Sequence, residues 1–172
     1  MIHKWFVEKY LLRVKHHFEN DILHVDTRFN IHGSGIRALP KNIIFHYGVD
    51  LEYSNIKTLS YGLIFESYLD LHETKIEKLP NTLIVRGNLL LHNTHITELP
   101  DDLVVGGALY IEHIKVESLP DNLMPMEVIT YNKIKMSEKT QMKIISNHKN
   151  QFHMIKNPTE KAITMQKLLW KI

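Results

Sequence analysis

The stretch Leu79–Glu98 recurs in register at a spacing of 20 residues on both sides, and that period restricts the fold more than any other feature of the chain. Its frame is Leu79, Pro80, Leu83, Val85, Gly87, Leu89, Leu91, Thr94 and Ile96. One period earlier stand Leu59, Leu63, Phe65, Ser67, Leu69, Leu71, Thr74 and Ile76, with Ser60 in place of the proline. Before them come Leu39, Pro40, Ile43, Phe45, Tyr47, Val49, Leu51, Ser54 and Ile56, and a first copy that starts at Leu23 without its Leu-Pro. Later copies run from Leu99 to Val116 and, degraded, through Leu119, Leu123, Ile129, Tyr131, Ile134 and Met136. About six turns between residues 19 and 136 thus share one period, the signature of a solenoid.

The chemistry of one turn follows from its spacing. Leu89 and Leu91 alternate with outward positions, as do Leu83 and Val85, so each turn has two short extended segments. Gly87 and Asn88 suit the bend between them, and Pro80 forbids a helix on the return path. Thr94 faces inward, so its hydroxyl needs a backbone partner, expected in a ladder of Ser34, Ser54, Thr74 and Thr94. A single turn cannot bury its apolar edge, whereas stacked turns share a continuous core.

The segment Leu89-x-Leu91-x-x-Thr94-x-Ile96 resembles the leucine-rich-repeat pattern LxLxxNxL, with Thr or Ser at the asparagine position. The repeat length and the recurring Leu-Pro resemble the short type of secreted Gram-negative effectors, and LPxxLxVxGxLxLxxTxI is closer still to tandem repeats of bacterial and phage proteins. The fold expected is a leucine-rich-repeat-like solenoid of short parallel β-strands, capped by an N-terminal helix and by C-terminal helices. Periodicity alone leaves open an arc or a flatter β-solenoid. Such repeats are binding scaffolds, so the resemblance implies a protein-interaction module acting through the strand face, the helical caps or both, for instance a phage-encoded inhibitor of a host or defence complex, or an effector. Some effectors with similar repeats carry a ubiquitin-ligase domain with a catalytic cysteine; a chain with no cysteine cannot have that activity.

The ends read as caps. Residues 1–18 form an amphipathic pattern, with Val7, Leu11, Val14 and Phe18 on one stripe, and are expected to cover the first turn. Residues 137–172 read as a C-terminal helical cap, with Asn157-Pro158 as a helix start and Trp170 near its end. No apolar run is long enough to cross a bilayer, so no membrane partner is expected; the absence of cysteine suits the reducing cytoplasm. Formal charge is +3 over residues 1–18, −8 over 19–132 and +7 over 133–172. An acidic solenoid can meet a basic protein surface, while the basic segment 137–172 offers an alternative reading as a nucleic-acid contact.

The working surface expected from the repeat frame is the outward side of LxLxxT. One column there is Asn30, Asp50, Asp70, Leu90, Tyr110 and Thr130; the next is His32, Glu52, His72, His92, Glu112 and Asn132; a third is Gly33, Tyr53, Glu73, Asn93, His113 and Lys133. Tyr68 flanks them. The partner-binding set is therefore Asp50, Glu52, Tyr53, Tyr68, Asp70, His72, Glu73, His92, Tyr110, Glu112 and His113, with tyrosines of the type enriched in hot spots. His72, His92, Glu52 and Glu112 share a column, but parallel side chains on stacked strands do not converge on a tetrahedron, so no metal or other cofactor is expected. No nucleophile with a base partner, phosphate-binding glycine loop or zincin motif is present, and no enzymatic activity is expected.

Overall fold

A computed structural model describes residues 4–123, 125, 127–129 and 142, with the backbone alone for 127–129. In chain order the elements are α1 (Lys4–Tyr10), β1 (His16–Glu19), β2 (Ile22–Val25), β3 (Phe29–Asn30), β4 (Ala38–Leu39), β5 (Ile43–Phe45) and β6 (Val49–Asp50). They continue as β7 (Thr58–Leu59), β8 (Leu63–Phe65), β9 (Leu69–Asp70), β10 (Ile84–Val85), β11 (Leu89–Leu90), β12 (Val104–Val105), β13 (Ala108–Tyr110) and β14 (Glu127–Ile129).

The strands build a β-solenoid of about four turns. One six-stranded sheet has the order β1-β2-β5-β8-β10-β12, the other β3-β6-β9-β11-β13-β14, and β4 pairs with β7 beside them. Each turn therefore contributes one strand to each main sheet, and every step along the stack is parallel except β1 on β2. The register is that of the sequence period: Leu69 pairs with Leu89 and Leu89 with Leu109, and Ile64 with Ile84 and Ile84 with Val104.

The core consists of columns 20 residues apart. Leu23, Ile43, Leu63, Leu83, Leu103 and Leu123 form one, and Phe29, Val49, Leu69, Leu89 and Leu109 another, all buried. Ile36, Ile56, Ile76, Ile96 and Val116 line the return path, also buried. Phe45 and Phe65 stack with ring centroids 5.1 Å apart and planes 3° from parallel, so identical positions in consecutive turns fill one another's space. At the bend between the two sheets the turns come so close that a Cβ on Gly87 would lie 2.8 Å from the Ser67 carbonyl carbon. The Gly87 amide donates to the Ser67 carbonyl at 3.1 Å, and Gly107 repeats this on Gly87 at 2.9 Å.

Both ends differ from the expectation. The N-terminal helix is shorter than 1–18: it covers Lys4–Tyr10, sets Phe6 against Phe29 at 5.7 Å and is followed by the buried Leu11. Residues His16–Glu19 are instead a strand, because Asn20 and Asp21 make a two-residue hairpin with positive φ (48° and 62°) that folds β1 antiparallel onto β2. At the other end Leu109 pairs with Val128 and Tyr110 with Ile129. The last step is thus 19 residues, one fewer than the period, since five residues separate Leu123 from Val128 where six separate Leu103 from Leu109. Ile129 consequently pairs with Tyr110 rather than with Leu109, and the expected column members Thr130, Asn132 and Lys133 come after this shifted strand. Those residues and, apart from Met142, the expected C-terminal helical cap (137–172) lie outside the described residues. Among the described residues no helix is long and apolar enough to cross a membrane.

Candidate functional site

The outward side of the second sheet is shaped by one turn motif repeated along the stack. After each strand the backbone reverses, and the amides of Ser34, Ser54, Thr74 and Thr94 donate to the carbonyls of Ile31, Leu51, Leu71 and Leu91 at 3.0–3.2 Å. The residue before each amide has positive φ: Gly33 at 65°, Tyr53 at 55°, Glu73 at 56° and Asn93 at 56°, with His113 following at 58°. Only the first turn uses glycine, so Tyr53 and Glu73 hold a conformation that L side chains disfavour. The threonines reinforce the reversal within their own turn: Thr74 Oγ1 donates to Leu71 O and Thr94 Oγ1 to Leu91 O, both at 2.7 Å. The expected ladder between turns is therefore replaced by local bonds. Ser34 and Ser54 Oγ make none among the described residues.

Three residues ahead of Gly33, Tyr53 and Glu73 a short polar side chain braces the same turn, whereas Leu90 and Tyr110 stand at that place in the next two. Asn30, Asp50 and Asp70 accept, through Oδ1, the amides of His32, Glu52 and His72 at 3.1, 3.2 and 3.0 Å. Asp50 also accepts the Asn30 side-chain amide at 2.8 Å and lies 3.5 Å from Arg28. Burial, with Glu52 and Asp50 adding to it, raises the Asp70 carboxyl above its ordinary value despite the bond from His72. Asp50 and Asp70, expected as binding residues, are thus engaged in holding the turn.

The adjoining column is continuous. His32 Nδ1 lies 3.4 Å from one Glu52 oxygen and His72 Nδ1 2.9 Å from the other, so Glu52 bridges two histidines two turns apart. His72 also reaches Glu73 at 3.7 Å and packs on His92 with centroids 3.8 Å apart and planes tilted by 32°. Tyr53 stands between the rings of His32 and His72, at 5.4 and 5.5 Å, and remains 53% exposed. His92 Nδ1 is buried without a hydrogen bond among the described residues; desolvation, then the neighbouring His72, holds its pKa below the ordinary value.

Of the expected set, Glu52, Tyr53, His72, Glu73 and His92 form this connected patch, and Tyr110, Glu112 and His113 extend its columns by one turn. Tyr68 does not present a free ring: it is half-buried over Gly48, where a Cβ would collide with it, and stacks near the Arg28 guanidinium at 5.7 Å.

A second cluster was not expected from the sequence. The β1–β2 hairpin sets His17 opposite His24, and their rings stack at 4.6 Å; His46, one period and two residues beyond His24, stacks on its other side at 5.2 Å. His17 Nδ1 is 2.8 Å from Asp26 Oδ2, and His24 Nδ1 is 3.0 Å from His46 Nε2. That hydrogen bond with His17 is the main reason the Asp26 carboxyl titrates below its ordinary value. Lys15, His17, Asp26, His46 and Tyr47 line a shallow recess there. The signal that finds the cluster is Asn20-Asp21 read as a hairpin turn between His17-Phe18-Glu19 and Ile22-Leu23-His24.

Among the described residues two groups of side chains each have ligating atoms within 4.8 Å of one another, His17 with Glu19 and His24, and His32 with Asp50 and Glu52. Neither is the His72, His92, Glu52 and Glu112 column. Comparison of the chain with protein-family models, with curated proteins and with solved structures finds no match.

Proposed function

We propose that this chain is a non-enzymatic protein-interaction module whose partner docks on the outward side of the second sheet. The observation that carries this reading is the connected patch of Glu52, Tyr53, His72 and His92, held at fixed spacing by the braced turns. A rigid array of this kind loses little conformational entropy on binding, and an exposed tyrosine among acids and histidines fits a basic protein surface. The finer reading is a leucine-rich-repeat-type scaffold with six turns and helical caps at both ends, acting in the cytoplasm as an inhibitor of a host or defence complex of phage or bacterial origin.

The test is capture of a partner from bacterial lysate, followed by binding of the purified partner to the chain and to a Glu52→Lys, Tyr53→Ala variant of unchanged circular dichroism. The expected result is weakening by at least about tenfold, the scale of one central hot spot. A purified partner held equally by both proteins would overturn docking at this patch. Capture of nucleic acid alone, lost with residues 137–172 and steeply dependent on salt, would transfer the function to that basic segment.

A further inference from the structure

We propose that the β1–β2 hairpin is a binding site for a divalent cation of the zinc class, with His17, Glu19 and His24 as its protein ligands. His17 and Glu19 are two apart on β1 and so point to one side of the sheet, and His24 is the direct cross-strand partner of His17. One ligating atom from each lies within 4.8 Å of the others, and His24 Nε2 is already 3.8 Å from Glu19 Oε2. Zinc–nitrogen and zinc–oxygen bonds of about 2.0–2.2 Å place tetrahedral donors about 3.3 Å apart. Closing that gap needs rotation of Glu19, 65% exposed, and of His17, 53% exposed, around His24, which is 11% exposed and fixed.

The surroundings match what a metal-ligating imidazole requires. The Nδ1 of His17 faces the Asp26 carboxylate at 2.8 Å and the Nδ1 of His24 faces His46 at 3.0 Å, so each ring has its second nitrogen engaged and Nε2 left to coordinate. Two imidazoles and one carboxylate leave a coordination position open to solvent, and this donor set favours zinc, nickel or cobalt over calcium or magnesium. The rival group of His32, Asp50 and Glu52 is already committed, Asp50 to the Glu52 amide, Asn30 and Arg28, and Glu52 to His72. Asp50 would have to abandon the turn it braces, and Glu52 its pairing with His72.

The experiment is calorimetric titration of the untagged, chelator-treated chain with zinc chloride near pH 7.5, followed by imidazole nitrogen NMR. The expected result is one equivalent bound, with the Nε2 resonances of His17 and His24 shifting. Glu19→Gln, on an exposed side chain, is expected to weaken binding by at least about tenfold, and Asp26→Ala, which removes the group orienting His17, by about 10–100-fold. A His92→Gln control is expected to bind as the parent chain does. Failure to bind, or binding that is unaffected by Glu19→Gln and spread over several of the 12 histidines, would overturn the site.

Discussion

The two histidine clusters are made of the same side chains yet differ in construction. His72 and His92 are brought together by repetition: each occupies the same place in its turn, and stacking the turns sets the rings 3.8 Å apart, tilted by 32°. His17 and His24 are brought together by an antiparallel hairpin outside the repeat, which also supplies Glu19 and leaves Asp26 beside His17. Repetition produces parallel side chains and hence a column, bridged by Glu52 at one end and desolvated at His92. A hairpin sets residues from two chain directions on one side, and although the His17 and His24 rings lie within 17° of parallel, one ligating atom of each comes within 4.8 Å of Glu19. A flat recognition surface and a convergent site thus arise on one solenoid from two kinds of strand pairing.

Disrupting the stack should damage only the first cluster. Gly87→Val places a branched side chain against the Ser67 backbone, where a single Cβ would lie at 2.8 Å. A loss of about 2–3 kcal/mol is expected in urea unfolding, with the His72 and His92 ring shifts changing and those of His17 and His24 retained. A smaller effect should isolate the second cluster. Asp21→Val puts a β-branched residue at φ 62°, costing about 1–2 kcal/mol locally; faster amide exchange in β1 and β2, but not at Leu89–Leu91, would mark it. Uniform loss of protection along the solenoid would instead show that hairpin and stack unfold as one unit.

The smallest expected effect is on pH dependence. His92 titrates below its ordinary 6.5 in the folded chain, so the unfolded chain takes up the proton first as pH falls. Stability should therefore decline as pH drops through 6.5 and level off below the folded-state value. Melting temperatures between about pH 7.5 and 5.5 should fall less steeply in His92→Gln than in the parent chain. Asp26 acts at lower pH, where its stabilising effect is present above 3.8 and lost as pH falls through its depressed value. Asp70 has the opposite sign: its raised value makes acidification toward 3.8 favourable to the fold.

Much of the solenoid was legible because hydrophobic positions repeat in both segments of every turn. Leu69, Leu89 and Leu109 had to share a column, and the register bears this out. The outward positions of Glu52, His72 and His92, each next to a buried leucine, follow from the same alternation, whereas Tyr53 is turned outward by its positive φ. What alternation did not disclose was occupation of those side chains by their own backbone. Asp50 and Asp70 looked like surface acids, and their bonds to the Glu52 and His72 amides depend on the local reversal. Tyr68 looked like a binding aromatic, and its place over Gly48 depends on the previous turn.

The sequence by itself determined the period, the inward columns and the outward columns through five copies, because burying one apolar edge of a 20-residue turn requires the next turn to lie in register. Tertiary structure decided that the repeat makes two parallel sheets, that residues His16–Glu19 leave the helix for a strand, and that the last step is 19 residues. It also decided that His17, His24 and His46 meet. The physical reason is the range of the forces involved. Periodic burial is written into each repeat and read locally, whereas a hairpin partner, a bend against the neighbouring backbone and a stacked ring depend on what the adjacent turn presents.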